Sequence, residues 1–284
     1  MDAKIISGKE IAQKREEKLT EIVADLKIKP KVVSILIGDD APSVMYTNMK
    51  QKKAQEIGIT FEAIRLPEET DFYQAMQLII GINQDSSVHG IMVQLPLPKK
   101  FLGTHKTKEL LELINPQKDV DGLTHSSDFK TAAVEAVFAI IDEEKINLEG
   151  KYAVMVGASE LIGKPIADGL NKRGAMVKLC DSKVEDLSEF TKRADLIVSA
   201  TGVPGIIKGD MVKTGVVIID VGVMVIEEDD RDKVTEGQSE TKVVGDVDFV
   251  TVYPKASKIT PVPGGVGPIT VVSLMENVVK ATQA

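Results

Sequence analysis

Tryptophan is absent from this 284-residue chain, and its only cysteine is Cys180. A single cysteine excludes an intrachain disulfide and a metal site made of several thiolates, so a reducing, cytoplasmic location is expected. Histidine is scarce as well, and His89, His105 and His125 lack the paired spacing of metal ligands. We therefore predict a site without a metal.

Long apolar runs and an excess of positive charge are also missing. The most extended apolar stretch, GVVIIDVGVMVI (215–226), is interrupted by Asp220 and is too short to span a bilayer. The first ten residues, MDAKIISGKE, lack the apolar region of a secretory signal. A net charge of -8 at pH 7 argues against nucleic acid and anionic membranes as partners, because both attract Lys and Arg.

The apolar segments that are present alternate between strand-like and helix-like patterns. Ser7 and Glu10 form an S-x-x-E capping box, which predicts a first helix. Strands follow at 31–38, 60–66 and 88–98, with helices between them. This alternation is typical of a parallel sheet with right-handed crossovers.

The alternation restarts after NPQKDVDGL (115–123) in the order of a Rossmann unit. Its predicted strands are 151–157, 175–180, 194–200 and 215–222, and its predicted helices are 132–144, 163–174 and 184–193. The expected fold class is therefore α/β, with an N-terminal α/β domain and a Rossmann-type dinucleotide-binding domain that enclose a cleft. The charged run at 226–242 is predicted to be a solvated loop or hairpin.

A candidate phosphate-binding turn opens the Rossmann series. In VMVGASELIGKP (154–165) a strand ends at Gly157 and a helix begins near Gly163, which gives the pattern G-x-S-x-x-x-G. Such glycines allow a pyrophosphate to approach a helix N-terminus, although a purely structural turn has the same pattern. Asp181, at the end of the next strand, would accept hydrogen bonds from the ribose hydroxyl groups and repel a 2′-phosphate, which favours NAD. Ser182 and Lys183, in contrast, could each hold a phosphate.

Four polar residues of the N-terminal half are candidates for chemistry. Tyr46 and Lys50 stand at i and i+4 and therefore share a helix face. The alternative is a chance pair on a solvated face, which would have the same spacing. Short-chain dehydrogenases use Tyr-x-x-x-Lys, but there the motif follows the dinucleotide turn, and here it precedes it. Gln94 ends a strand at VQLPLP (93–98), where α/β clefts bind ligands. Asp121 in KDVDG (118–122) lies at the domain junction, either in a hinge turn or facing a ligand.

Taken together, these segments carry a resemblance that covers nearly the whole chain. They are Ser43-x-x-Tyr46-x-x-x-Lys50, GIMVQLPLPK (90–99), KDVDG, VGASELIGKP (156–165), VVGDVDF (243–249) and the long ITPVPGGVGPIT (259–270). The chain resembles the bifunctional methylenetetrahydrofolate dehydrogenase/cyclohydrolase family, often called FolD. The resemblance implies a folate-binding domain at 1–121 plus 266–284 and a Rossmann NAD(P)-binding domain at 122–265. It also implies tetrahydrofolate derivatives as substrates and a homodimer.

The resemblance also assigns roles to the candidate residues. Lys50 would be the general acid/base, Gln94 would position it, Tyr46 would stack on the folate and Asp121 would hold the polar edge of the pterin. The further substrate-binding residues are Ser43, Pro98, Gly264 and Gly265, where the two glycines would let backbone approach the ligand. The cofactor-binding residues are Gly157, Ser159, Ile162, Gly163, Asp181, Ser182, Thr201 and Gly202.

The sequence departs from the family pattern at three places. Ala158 stands where the family usually has Arg, and Asp181 where it has His; both changes favour NAD, whereas the family default is NADP, so both cofactors stay open. The segment LTHSSDFKTAAVEAV (123–137) is shorter than usual and lacks an Asn-x-Gly element and a later Cys-Thr-Pro element; only Thr131 could stand for the threonine of the latter. The alternatives are a monofunctional NAD-dependent dehydrogenase and a catalytically silent folate-binding homologue.

Overall fold

The computed structural model describes residues 3–103, 105–227 and 241–283. The elements of the first half are β1 Lys4–Ile5, α1 Gly8–Asp25, β2 Lys31–Ile37, α2 Ala41–Ile57, β3 Thr60–Leu66, α3 Phe72–Gln84, β4 Gly90–Val93, α4 Lys99–Leu102, α5 Thr107–Leu111 and α6 Ala132–Glu143. Those of the second half are β5 Tyr152–Val156, α7 Gly163–Lys172, β6 Met176–Cys180, α8 Ser188–Thr191, β7 Leu196–Ser199, β8 Val217–Asp220, β9 Met224–Glu227, β10 Thr241–Val244, α9 Phe249–Val252, β11 Lys258–Ile259 and α10 Val266–Gln283. A 3₁₀ turn, Gly209–Met211, precedes β8.

The chain divides into two compact units. The first unit is Ala12–Glu135 with Thr270–Ala284, and the second unit is Met1–Ile11 with Ala136–Ile269. Residues 1–11 group with the second unit because β1 pairs in parallel with β11 of its sheet. Residues 122–135 group with the first unit, whereas the sequence placed 1–121 and 266–284 together. The functional domain boundaries expected from the sequence stay a prediction.

The first unit is built on a three-stranded parallel sheet in the order β3-β2-β4. The central strand β2 is buried along six of its seven residues, as its continuous apolar sequence predicts. Helix α2 follows this strand and is capped at both ends: the Asp40 carboxylate accepts the Ser43 N–H, and Gly58 ends the helix in the left-handed conformation at φ 94°. The carboxyl ends of β2 and β4 therefore lie at the edge from which α2 starts.

The second unit contains a six-stranded parallel sheet in the order β1-β11-β8-β7-β5-β6. Strand β5 has its sequence successor β6 on one side and β7 on the other, so the strand order reverses at β5. Such a reversal is where dinucleotides bind in doubly wound sheets. The α/β fold class with a Rossmann-type series, expected from the sequence, is confirmed.

The structure differs from the sequence-based prediction in several elements. The helix expected at 184–193 is limited to α8, because the Asp186 carboxylate accepts the Ser188 N–H and holds the preceding residues in a turn. The strand expected at 88–98 ends at Val93. Most of the charged run at 226–242 lies outside the described residues. Within the described ranges, no helix combines the length and apolar character needed to cross a membrane.

Candidate active site

Lys50 is held by a hydrogen bond that it donates to a residue at the end of β4. Its Nζ donates to Oε1 of Gln94 at 3.1 Å. Gln94 follows β4 directly and is 9% exposed. Its backbone N–H donates to the carbonyl of Ile35 at 2.9 Å, and its Nε2 donates to the carbonyl of Leu95 at 2.8 Å. Because the amide nitrogen is already committed to Leu95, the oxygen of the Gln94 side chain is oriented towards the Lys50 amine.

Burial dominates the electrostatics of Lys50 and Asp121. Loss of water around Lys50 lowers the pKa of its amine, and the nearby Asp121 carboxyl opposes that shift. Burial raises the pKa of Asp121; Lys50 opposes this, whereas the charge of Asp119 adds to it. A lysine with a lowered pKa beside a carboxyl with a raised pKa is an arrangement suited to proton transfer.

The other predicted substrate-binding residues of the first unit are Tyr46, Ser43 and Pro98. Tyr46 lies one turn before Lys50 on α2 and is partly buried. Ser43 is buried, and its backbone N–H and hydroxyl both donate to the Asp40 carboxylate, at 3.0 and 2.8 Å. Pro98 precedes α4, and its Cγ lies 3.0 Å from where a Cβ on Gly38 would be. The structure thus brings Lys50, Gln94 and Asp121 together, while Ser43 contributes to the helix cap.

Gly264 and Gly265 belong to the second unit. Gly264 has φ 103°, and its carbonyl accepts the N–H of Gly8 at 2.9 Å. A Cβ on Gly8 would lie 1.6 Å from the carbonyl oxygen of Gly265. The PVPGGVGP turn is therefore in tight backbone contact with the start of α1. The close approach of a ligand to these two glycines stays a prediction.

The predicted dinucleotide turn has no room for side chains at its two glycines. A Cβ on Gly157, which has φ 102°, would lie 2.3 Å from the carbonyl oxygen of Ala200, and one on Gly163 would lie 1.9 Å from the carbonyl oxygen of Gly157. Ser159 accepts the Gly163 N–H at Oγ, 3.2 Å away. Strand β5, the loop after β7 and the first turn of α7 are therefore in backbone contact where the strand order reverses.

The remaining cofactor candidates lie in the same unit. Ile162 directly precedes α7, and Ala158 sits between Gly157 and Ser159. Asp181 and Ser182 are exposed after β6, where the Asp181 carboxylate accepts the Lys183 N–H at 3.0 Å. Cys180, at the end of this edge strand, is 1% exposed, and its carbonyl accepts the Gly157 N–H at 2.9 Å.

Two buried aspartates that the sequence analysis did not single out organise the carboxyl ends of β7 and β8. Oδ2 of Asp246 accepts the Thr201 N–H at 2.6 Å and the Ser199 hydroxyl at 2.8 Å. Its Oδ1 has no hydrogen-bond partner among the described residues. Asp220 accepts backbone N–H groups of Gly222 and Asp246 at Oδ1. The available signal was an aspartate at the end of each apolar run, directly after it in VVIID and one glycine later in VVGD.

These carboxylates shape the loop that carries two cofactor candidates. Thr201 is fixed by Asp246, and its Oγ1 accepts the Val203 N–H at 3.1 Å. Gly202 between them has φ 70°, and a Cβ there would meet no described atom within 4 Å. The loop therefore offers backbone with open space above it, at the edge where a dinucleotide is expected.

The stability of the protein should fall with rising pH because of Asp220. Burial, aided by the charge of Asp246, raises the pKa of Asp220 from 3.8 to about 6. The folded state therefore holds this proton more tightly than the unfolded state, and stability is lost between about pH 4 and pH 6. Two pKa units correspond to about 3 kcal/mol. Urea unfolding of the wild type and Asp220→Asn at several pH values should show the wild type losing about that amount relative to the variant. A difference that is constant across pH would contradict it.

Comparisons with known proteins cover both units. The family model described as tetrahydrofolate dehydrogenase/cyclohydrolase, catalytic domain, matches residues 6–121, and the model described as the NAD(P)-binding domain of the same family matches residues 131–284. The bifunctional protein FolD of Lactobacillus acidophilus is 43% identical over 99% of this chain and 97% of its own length. That of Thermodesulfovibrio yellowstonii is 41% identical over 100% and 98%.

Solved structures that are similar to this chain include enzymes with the same name as these sequence relatives. The bifunctional FolD enzyme of Campylobacter jejuni is 38% identical, has a TM-score of 0.89 and covers 99% of each chain. The FolD of Trypanosoma brucei, solved with NADP and an inhibitor, is 29% identical with a TM-score of 0.89, over 100% of this chain and 98% of that one.

Proposed function

Because the chain belongs to the tetrahydrofolate dehydrogenase/cyclohydrolase family, it is a bifunctional methylenetetrahydrofolate dehydrogenase and methenyltetrahydrofolate cyclohydrolase, and we propose that Lys50 carries the hydrolytic step. The observation that supports this role is the hydrogen bond from a desolvated Lys50 to Gln94. Tyr46 and Asp121 are proposed to bind the folate, Tyr46 by stacking on it and Asp121 at the polar edge of the pterin.

Hydrolysis of the methenyl group needs a group that both accepts and returns a proton. Water must lose a proton as it attacks the methenyl carbon, and the ring nitrogen that leaves that carbon must gain one. Burial lowers the pKa of Lys50 and so favours its neutral amine, and a cationic substrate nearby would lower that pKa further. With one N–H committed to Gln94, the lone pair of the neutral amine points away from Gln94. In this proposal it accepts the proton of water and returns it to the nitrogen.

The dehydrogenase step needs alignment rather than a base. Loss of hydride from the methylene bridge leaves a cation that two nitrogens already stabilise, so no proton has to move. NAD(P), when bound, supplies the hydride acceptor. The residues present fit such a cofactor, because Gly157 and Gly163 exclude side chains at the strand-order reversal and Gly202 leaves open space. The chain's own contribution is to hold and orient the two reactants.

Cofactor choice is proposed to depend on Asp181. Its exposed carboxylate follows β6 and would accept ribose hydroxyl groups but repel a 2′-phosphate, and Ala158 supplies no cation to attract one. NAD is therefore the proposed cofactor. NADP is the second candidate, since the related Trypanosoma brucei structure contains it.

Replacing Asp181 with alanine should raise the affinity for NADP relative to NAD. Removal of the carboxylate abolishes its repulsion of the 2′-phosphate and its hydrogen bonds to the ribose, and Lys183 remains nearby as a cation. We expect the ratio of kcat/KM for NADP over NAD to rise about tenfold or more, the effect of one lost charge contact. Parallel titrations of both cofactors measure this ratio. If it is unchanged, Asp181 does not face the ribose.

The assignment of both steps is tested by turnover. Absorbance-monitored oxidation of 5,10-methylenetetrahydrofolate with NAD and NADP in parallel, followed by decay of the methenyl band, separates the two reactions. Cofactor reduction with enzyme-dependent decay is expected. Reduction without decay indicates a monofunctional dehydrogenase; tetrahydrofolate binding without any turnover indicates a silent homologue. A cytoplasmic homodimer is part of the same proposal, and equilibrium sedimentation tests the dimer.

A further inference from the structure

The loop that carries Asp121 is held by a side chain from the C-terminal helix. Asn277 on α10 is 1% exposed. Its Nδ2 donates to the carbonyl of Val120 at 3.0 Å and to the carbonyl of Lys130 at 3.2 Å. Val120, on the outgoing arm of the loop, directly precedes Asp121. Lys130, on the returning arm, lies two residues before α6. One side-chain amide, with its two N–H donors, therefore closes both arms.

The inside of the loop is organised by Asp119. This residue is fully buried, and its Oδ2 accepts both the N–H and the hydroxyl of Thr124, each at 2.8 Å. Its Oδ1 accepts the Leu123 N–H at 3.3 Å, and its carbonyl accepts the Gly122 N–H at 3.0 Å. The turn immediately after Asp121 is thus wrapped around the Asp119 carboxylate, and its position depends on that of the loop arms.

Backbone contact makes the loop sensitive to small shifts. Gly122 has φ 66°, and a Cβ there would lie 2.6 Å from both the carbonyl carbon of Lys130 and the nitrogen of Thr131. The outgoing and returning arms therefore touch beside Asp121. If Asn277 no longer holds them, the carbonyls of Val120 and Lys130 lose the donor that links the two arms, and the loop that carries Asp121 is free to shift.

We propose that Asn277 is a positioning residue for the catalytic pair, because its grip on both arms of the loop fixes the Asp121 carboxyl beside Lys50. This inference rests on the proposed roles of Lys50 and Asp121. It also explains how the shortened segment after Gly122 is ordered: the segment is anchored to α10 and to Asp119.

The first test is Asn277→Ala, with Ser273→Ala as its matched control. Ser273 lies one turn earlier on α10, is fully buried, and its hydroxyl has no hydrogen-bond partner among the described residues. Misplacement of Asp121 should lower kcat/KM for methenyl hydrolysis about 10- to 100-fold in Asn277→Ala, whereas Ser273→Ala should stay within about twofold of wild type. Asn277→Ser, which keeps one donor, should give a smaller loss and is the variant to use if the alanine variant fails to fold.

A double-mutant cycle separates positioning from a general structural effect. The dissociation constant for tetrahydrofolate is measured by calorimetry in the wild-type and Asp121→Asn backgrounds, each with and without Asn277→Ala. If Asn277 acts through Asp121, its replacement should weaken binding about tenfold in the wild-type background and hardly at all in the other. An equal loss in both backgrounds would overturn the inference. If Asp121→Asn itself changes neither binding nor hydrolysis, it is the proposed role of Asp121 that fails.

Discussion

Replacing Lys50 with methionine is expected to lower the rate of methenyltetrahydrofolate hydrolysis by about 10²–10⁴-fold, the usual contribution of a general acid/base. Methionine keeps an unbranched side chain of similar length but cannot accept or donate the proton. Hydride transfer should fall much less, because the methylene carbon loses no proton in that step. The two rates are measured separately, one by cofactor reduction and the other by decay of the methenyl band.

The matched control is Lys52→Met on the same helix. Lys52 is exposed, so the same substitution there leaves the hydrogen bond between Lys50 and Gln94 in place. The thermal midpoint of the Lys50 variant should not drop, because removal of a desolvated amine relieves a burial cost. Equal losses of the two activities, with tetrahydrofolate affinity intact, would refute the assignment of Lys50 to hydrolysis alone.

Replacing Gly163 with alanine should lower the dehydrogenase activity and leave methenyl hydrolysis largely intact, the opposite of the Lys50 variant. The new methyl group would lie 1.9 Å from the carbonyl oxygen of Gly157, so α7 must move by more than 1 Å at its first turn. A displacement of that size in a binding element typically costs about 10²-fold in rate. We expect cofactor affinity and dehydrogenation to fall by that order, while methenyl hydrolysis persists because Lys50 belongs to the other compact unit.

Gly81→Ala is the control for a glycine-to-alanine change. A Cβ at this position in α3 would meet no described atom within 4 Å, so the variant should keep both activities and gain up to about 1 kcal/mol in stability. Full dehydrogenase activity in Gly163→Ala would mean that the turn after β5 does not bind the cofactor. A parallel loss of hydrolysis would point to a global change in the fold.

Most helices and strands of this fold could be predicted from local sequence patterns. The apolar run of β2 was predicted within one residue, because the pattern of a buried parallel strand is continuous along the chain. The strand 60–66 was predicted with the bounds that β3 has in the structure. Lys50 was a candidate from helix spacing and Gln94 from its place at the end of a strand. That Gln94 positions Lys50 was implied only by the family resemblance, and the structure places their side chains in contact.

Long-range pairings could not be identified in this way. Strands β1 and β11 contain two residues each and pair across about 250 positions, so neither has a periodicity of its own. The role of Asn277 could not be predicted for the same reason. On an amphipathic helix it resembles any other polar residue, and its contact with Val120 is known only from the folded structure. Asp246 likewise acts on the backbone of Thr201 rather than within its own segment.

Cys180 is a built-in probe of local opening in this part of the structure. It is the sole thiol of the chain, burial raises its pKa, and it ends the edge strand whose carbonyl pairs with Gly157. Because this thiol is buried, a reagent reaches it when the structure around the end of β6 opens locally, so the labelling rate reports the free energy of that opening event. Any ligand that binds at the adjacent turn and stabilises the closed edge slows the labelling in proportion to its occupancy.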